Sequence, residues 1–202
     1  KATEARLARD GFTTIGQLQD ADPRDLARRY GATGLWLSRM ALAQDHRPVN
    51  PNGEMKTISS ETTFNTDIAA LPELESILWR QAERVSARAK KLGLCGHTVV
   101  LKLKTADFRL RTRSHTLDAP TQLADRIFRT ALAALKREAD GTRFRLLGVG
   151  ISNLAPSGAA DPASLIDPQG EKRAAVERAM DRIREKFGGS AVGPGRGLRG
   201  KP

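Results

Sequence analysis

Residues 97–116 read HTVVLKLKTADFRLRTRSHT, and the fold turns on this stretch. From His97 to Lys104 the side chains alternate, with Val99, Leu101 and Leu103 on one face and Lys102 and Lys104 on the other. Thr105-Ala-Asp107 supplies a three-residue turn. Phe108 to Thr116 then alternates again, with Arg109, Arg111, Arg113 and His115 sharing a face. Two alternating runs joined by a tight turn make an antiparallel hairpin.

Outward from the hairpin the elements fall into order. Lys56 to Phe64 is rich in Thr, Ser and Ile and reads as a strand. Leu71 to Leu92 carries Leu74, Ile77, Leu78, Val85, Ala89 and Leu92 on one helical face and ends at Gly93. After the hairpin, Pro120 and Thr121 open a second helix with Leu123, Ile127, Ala131 and Leu135 as its apolar stripe. Asp140-Gly141 ends that helix and Arg143 to Ile151 is a last strand. The order β-α-β-β-α-β predicts an α+β domain over residues 57–154, a four-stranded antiparallel sheet with both helices on one face.

Before it, residues 1–45 read as a small helical subdomain with Leu26, Tyr30, Leu35, Trp36, Leu37, Met40 and Leu42 as its core. Pro48, Asn50, Pro51, Asn52 and Gly53 make residues 46–56 a linker. Residues 155–202 read as a loop, a helix from Lys172 to Phe187 and a Gly-rich tail expected to be flexible.

Composition excludes several classes of function. The 202 residues carry 34 Lys+Arg against 23 Asp+Glu, a net charge of +11, with one Cys, three His and 4% aromatics. No stretch reaches the roughly 18 apolar residues of a membrane span. The single Cys rules out an internal disulfide and fits a reducing cytosol. Cys95 and His97 lack companions for a zinc site, no carboxylates pair as in a two-metal centre, and no Ser or Cys stands at readable spacing from a histidine. The run Gly193-Pro-Gly-Arg-Gly197 neither follows a strand nor opens a helix, so it is no phosphate loop. The expectation is a chain without metal or catalytic residues of its own.

The charge points to a polyanionic partner, nucleic acid or an acidic membrane surface. Residues 51–155 hold 17 basic and 11 acidic side chains, the largest share of the excess. A sheet covered on one face leaves the other open, and alternation assigns Lys102, Lys104, Arg109, Arg111 and Arg113 to that open face. Ser59, Ser60 and Thr62 on the first strand and Arg143 and Arg145 on the last extend the set. The bland alternative is a solvated charged face. With so few aromatics there is no visible platform for stacking bases, and Phe108 alternates with the buried set, so duplex backbone is the better fit than a single strand.

The combination of Gly11-Phe-Thr-Thr-Ile-Gly-Gln-Leu18, the Trp36 helix through Asp45-His-Arg-Pro48, Lys56-Thr-Ile-Ser-Ser-Glu-Thr-Thr-Phe64, the 97–116 hairpin and Arg143-Phe-Arg-Leu-Leu-Gly-Val-Gly150 resembles the C-terminal half of bacterial Y-family translesion DNA polymerases of the DNA polymerase IV type. The resemblance implies that residues 1–45 are a helix-hairpin-helix thumb and residues 57–154 the little finger, which holds primer-template DNA. It implies a monomeric, cytoplasmic bacterial enzyme whose palm, absent from this stretch, carries the carboxylates and the Mg²⁺ of nucleotidyl transfer. On this reading the chain is a fragment, inactive alone. A sliding clamp is the further partner implied, through Leu165 and Ile166 of Pro162-Ala-Ser-Leu-Ile166, a degenerate version of the family's clamp peptide. The alternative is a stand-alone nucleic-acid-binding module, since RNA-recognition sheets share the β-α-β-β-α-β order.

Overall fold

The computed structural model describes residues 2–50, 53–162, 169–189, 191–193 and 195. The chain divides into two compact units, Lys1–Gly53 and Glu54–Pro202.

The first unit is built from α1 (Ala2–Arg9), α2 (Ile15–Asp20), α3 (Pro23–Tyr30) and α4 (Ala32–Ala41). Each of the two middle helices starts on a side-chain cap. Thr14 Oγ1 accepts from the Gln17 N–H while Gln17 Oε1 accepts from the Thr14 N–H, a reciprocal capping box. Asp22 Oδ1 accepts from the Arg24 N–H at 2.8 Å, with Pro23 at the first helical position. Helices α3 and α4 approach so closely that a Cβ on Gly34 would lie 2.0 Å from the Leu26 carbonyl oxygen. Leu26 and Leu18 are buried, but Leu35, Trp36 and Leu42 are exposed, which corrects the expectation that they form the core. The buried side of α4 is its small-residue side, Gly34 and Ser38, so the large apolar residues one step around the helix point away.

The second unit is the expected sheet and helix layer. Strands β1 (Thr57–Ile68), β2 (Leu94–Thr105), β3 (Leu110–Thr121) and β4 (Phe144–Pro156) are antiparallel in the order β1-β4-β2-β3. Helices α5 (Leu71–Lys91) and α6 (Ala124–Glu138) cover one face. Their Leu74, Leu78, Val85, Ile127, Phe128 and Leu135 pack on Val99, Leu101 and Leu103 of β2 and Leu147, Val149 and Ile151 of β4 in one core. Trp79 and Phe128 meet edge to face at 5.2 Å between ring centroids, joining the two helices.

Helix α6 begins at Ala124, four residues later than Pro120 suggested, because Pro120 and Thr121 finish strand β3. Thr121 Oγ1 accepts from the Leu123 N–H and donates to Asp161. The helix has no local side-chain cap. Its first N–H groups are satisfied instead by Glu177, from α7 (Gly170–Phe187), whose carboxylate accepts from Ala124 N–H at 2.8 Å and Asp125 N–H at 3.2 Å. The same carboxylate accepts from Ser86 Oγ at 3.1 Å and Lys90 Nζ at 2.6 Å on α5. A negative group at a helix N-terminus is favoured by the exposed donors and the helix dipole. Helix α7 therefore docks through its polar side, while Val176, Ile183 and Phe187 are exposed.

Two outcomes test this packing. Gly34→Ala should unfold the first unit selectively, lost as helical circular dichroism, because the atom in the way is backbone and cannot yield. Glu177→Ala should lower the stability of the second unit by about 2 kcal/mol in urea, since it uncovers the Ala124 and Asp125 N–H groups and leaves Lys90 with Asp181 alone.

Candidate functional site

Directly opposed residues of antiparallel strands share a face, so the register states what the open side of the sheet displays. Leu147, Val149 and Ile151 of β4 are buried against the helices, and they oppose Leu103, Leu101 and Val99 of β2. The other face therefore carries Gly148 and Gly150 of β4, Val100, Lys102 and Lys104 of β2, and Ser59, Glu61 and Thr63 of β1. Across β3 the partners of Lys104, Lys102 and Val100 are Leu110, Thr112 and Ser114.

This places only part of the predicted cation grid. Lys102 and Lys104 lie on the open face as expected. Arg111 and Arg113 oppose Leu103 and Leu101, so they point to the helix side. There both bind Glu138 at the end of α6, with N–O distances of 3.1 Å and 2.6 Å. A carboxylate at a helix C-terminus is disfavoured by the dipole, and the two guanidinium groups offset it. The physical reason for the correction is the turn. Thr105 pairs with Arg109 around the loop Ala106–Phe108, which matches even-numbered positions on β2 with even-numbered positions on β3. Counting the arginines onto the lysine face assumed the opposite parity, and one residue of offset flips a whole strand. Arg109 sits at the hairpin tip, exposed and paired with Asp107 at 2.8 Å. The Thr105 hydroxyl and then Arg109 hold the Asp107 carboxyl below its ordinary range.

The secondary residues divide in the same way. Ser59 is on the open face, opposite Gly150. Ser60 and Thr62 oppose Val149 and Leu147 and so face the helices, where Ser60 Oγ donates to Gln81 Oε1 at 2.6 Å. Arg143 precedes β4 and its guanidinium donates to the Asp67 carbonyl at 3.3 Å. Arg145 is an extra residue of β4 where the register shifts beside Lys104 and Thr105, and its guanidinium lies over the Phe108 ring. Phe108 is 60% exposed rather than alternating with the core, a second correction. Leu165 and Ile166 lie outside the described residues.

Three features of the face escaped sequence reasoning. Glu61 stands among the cations and pairs with Lys102 Nζ at 2.7 Å. Gly148 and Gly150 leave a shallow depression of about 210 Å³ along the central strand, walled by Ser59 and Glu61 on one side and Val100 and Lys102 on the other. Their lack of side chains also lets β1 close in, since a Cβ on Gly148 would lie 2.6 Å from that of Glu61. The Gly-Val-Gly run inside an apolar strand was the available signal, because glycine in a strand interior marks a close approach. The result is a shallow trough with a backbone floor, walled by Ser59, Glu61, Val100 and Lys102. It suits a chain of phosphates better than a discrete small molecule. Among the described residues no three His, Cys, Asp or Glu side chains converge as metal ligands, and no helix is long and apolar enough to cross a membrane.

Comparison with known proteins agrees on one family. The model of the impB/mucB/samB family C-terminal domain matches residues 55–164. A DNA polymerase IV 1 from Mesorhizobium japonicum is 54% identical over 195 residues, which are 96% of this chain and 44% of that protein. A DNA polymerase IV from Brucella melitensis is 53% identical with the same coverage. This chain thus spans less than half the length of either relative. Among solved structures, a Y-family DNA polymerase chimera overlaps with a TM-score of 0.53 at 16% identity, over 75% of this chain and 44% of that one, a likeness of fold.

The new facing of β3 has a measurable consequence. Arg111→Gln/Arg113→Gln should destabilise the second unit by about 1–2 kcal/mol, because it leaves Glu138 unpaired beside carbonyl groups. An unchanged urea midpoint would make the two arginines ordinary solvated charges.

Proposed function

The chain belongs to the impB/mucB/samB family, as the thumb and little-finger part of a Y-family DNA polymerase IV, and we propose that it holds primer-template duplex on the open face of its sheet. The observation that carries this reading is the trough over Gly148 and Gly150 beside Lys102, on a sheet face that also carries Lys104 and ends near Arg145, in a chain of net charge +11. Hydroxyls of Ser59, Thr63, Thr112 and Ser114 supply the neutral donors that phosphates commonly take. These are phosphate-type donors, without the paired Asn, Gln or Arg groups that read base edges bidentately. The grip is therefore sequence-independent, which suits synthesis past damaged template. Arg111, Arg113, Ser60 and Thr62 are left to hold the domain together, and Arg109 and Arg143 serve as peripheral cations.

In the whole enzyme, nucleotidyl transfer and its Mg²⁺ belong to palm carboxylates. No group of described residues in this chain fits such an ion, so the chain's part is binding and positioning. A monomer in the bacterial cytoplasm is the matching setting. A sliding clamp is the second partner we assign, supported by the sequence Pro162-Ala-Ser-Leu-Ile166 alone. Titration calorimetry with purified bacterial clamp tests it, and equal affinity in Leu165→Ala/Ile166→Ala rejects it.

The duplex reading is checked by fluorescence anisotropy on mixed-sequence primer-template DNA at several salt concentrations. Affinity should fall linearly on logarithmic axes, and each of Lys102→Gln and Lys104→Gln should lower the slope by about 0.9 for the one phosphate contact removed. Glu61→Gln should raise affinity several-fold by releasing Lys102 from its carboxylate. Preference for single-stranded RNA over duplex DNA would favour the stand-alone RNA-recognition alternative. Against it, the open face presents Val100, Lys102, Gly148 and Gly150 on the central strands, where such sheets present aromatic rings.

A further inference from the structure

Phe108 occupies a position that the backbone reserves for glycine. The Phe108 N–H donates to the Thr105 carbonyl at 2.9 Å and the Thr105 N–H to the Arg109 carbonyl at 3.0 Å, closing a turn whose last residue must be left-handed. Phe108 meets that demand with φ of 64°. Glycine takes this conformation freely and asparagine readily, whereas a bulky side chain is strained in it. Burial does not repay the strain, because the ring is 60% exposed. What the ring touches is cations: Lys104 Nζ is 5.0 Å from its centroid and the Arg145 guanidinium carbon 4.0 Å. The register shift of β4 that brings Arg145 here is a second local irregularity converging on the same point.

The charges around this point are sorted. Asp107 is taken by Arg109 and by the Thr105 hydroxyl. Farther along the face Lys102 is taken by Glu61, and on the helix side Arg111 and Arg113 by Glu138. Lys104 and Arg145 have no carboxylate partner among the described residues; they have the ring. A carboxylate would neutralise these cations and consume their donors. A ring face holds a cation while leaving its charge intact, and a guanidinium lying on a ring keeps its in-plane N–H groups available.

We propose that Lys104, Arg145 and Phe108 form a phosphate-binding subsite at the tip of the β2–β3 hairpin, with Phe108 as a positioning residue that holds the two cations ready for the sugar-phosphate backbone. This rests on the duplex-binding reading above and adds a role for a residue that reading does not need. Long flexible cations lose rotamer freedom when they clamp a phosphate, and stacking them on a fixed ring shifts that loss to folding.

The test uses the 202-residue chain with Phe108→Asn, Phe108→Trp and Arg145→Gln, read by anisotropy on the same duplex and by thermal melting. Asparagine accepts the left-handed backbone, so Phe108→Asn should melt at or above the parent's midpoint while binding duplex about fivefold more weakly. Phe108→Trp should bind within about twofold of the parent, since indole is the best cation acceptor. In Phe108→Asn/Arg145→Gln the loss should be smaller than the product of the single losses, because the ring works through the cation. Parent-like affinity in Phe108→Asn, or losses that multiply, would overturn the subsite. A markedly lowered midpoint would make Phe108 a packing residue and overturn it equally. A parent chain without duplex affinity would remove the duplex reading and this one together, whereas a binding parent with an indifferent Phe108→Asn removes only this one.

Discussion

Leu147, Val149 and Ile151 lie against α5 and α6, and their burial fixes the facing of the residues paired with them across the middle of the sheet. Strand β4 is hydrogen-bonded on both sides, to β1 and to β2, so from Leu146 to Ile151 its orientation is transmitted outward through unbroken ladders. With Leu147, Val149 and Ile151 in the core, Gly148 and Gly150 must face out, and with them Ser59, Glu61, Val100 and Lys102. A slip of one residue would put glycines in the core and leucine and isoleucine in solvent, so the hydrophobic penalty pins the register. The functional face thus inherits its layout from the packing of the other side.

Part of the charge expected on the open face is structural. Glu138 gathers Arg111 and Arg113 at the end of α6, and Glu177 gathers Lys90, Ser86 and two backbone donors at its beginning. Both ends of one helix are therefore closed by ions brought from elsewhere in the chain. What remains for an outside anion on the open face and at the hairpin tip is a smaller set, Lys104 and Arg145 with Lys102 paired to Glu61. On the duplex-holding reading proposed above, a modest, partly masked positive face would hold each phosphate less tightly than a denser grid.

The order of elements and the composition of the core were readable because burial leaves a local periodic trace. Leu101, Leu103, Ile127 and Leu135 each stand at the spacing their element demands. The facing of β3 was not readable, because an edge strand whose two sides are both partly wet lacks an apolar stripe to orient it. Arg111 and Arg113 looked like a solvent face when they were the wet margin of the covered one. The exposure of Phe108 was hidden for a related reason: a residue in the left-handed turn belongs to neither alternating run. Glu177 was invisible as a cap because its partners Ala124 and Asp125 lie more than fifty residues away, and no sequence window joins them.

That distance carries a consequence for the order in which the chain is made. Strand β1 leaves the ribosome early but cannot pair until β4 follows, and α6 leaves with its first donors uncovered. Those donors stay open until Glu177 emerges, a lag of roughly 3 to 10 s for some fifty residues at ordinary elongation rates. During that interval Lys90 and Ser86 also wait. The second unit therefore cannot reach its final state before Glu177 has emerged, and its completion is tied to α7 rather than to synthesis of the sheet.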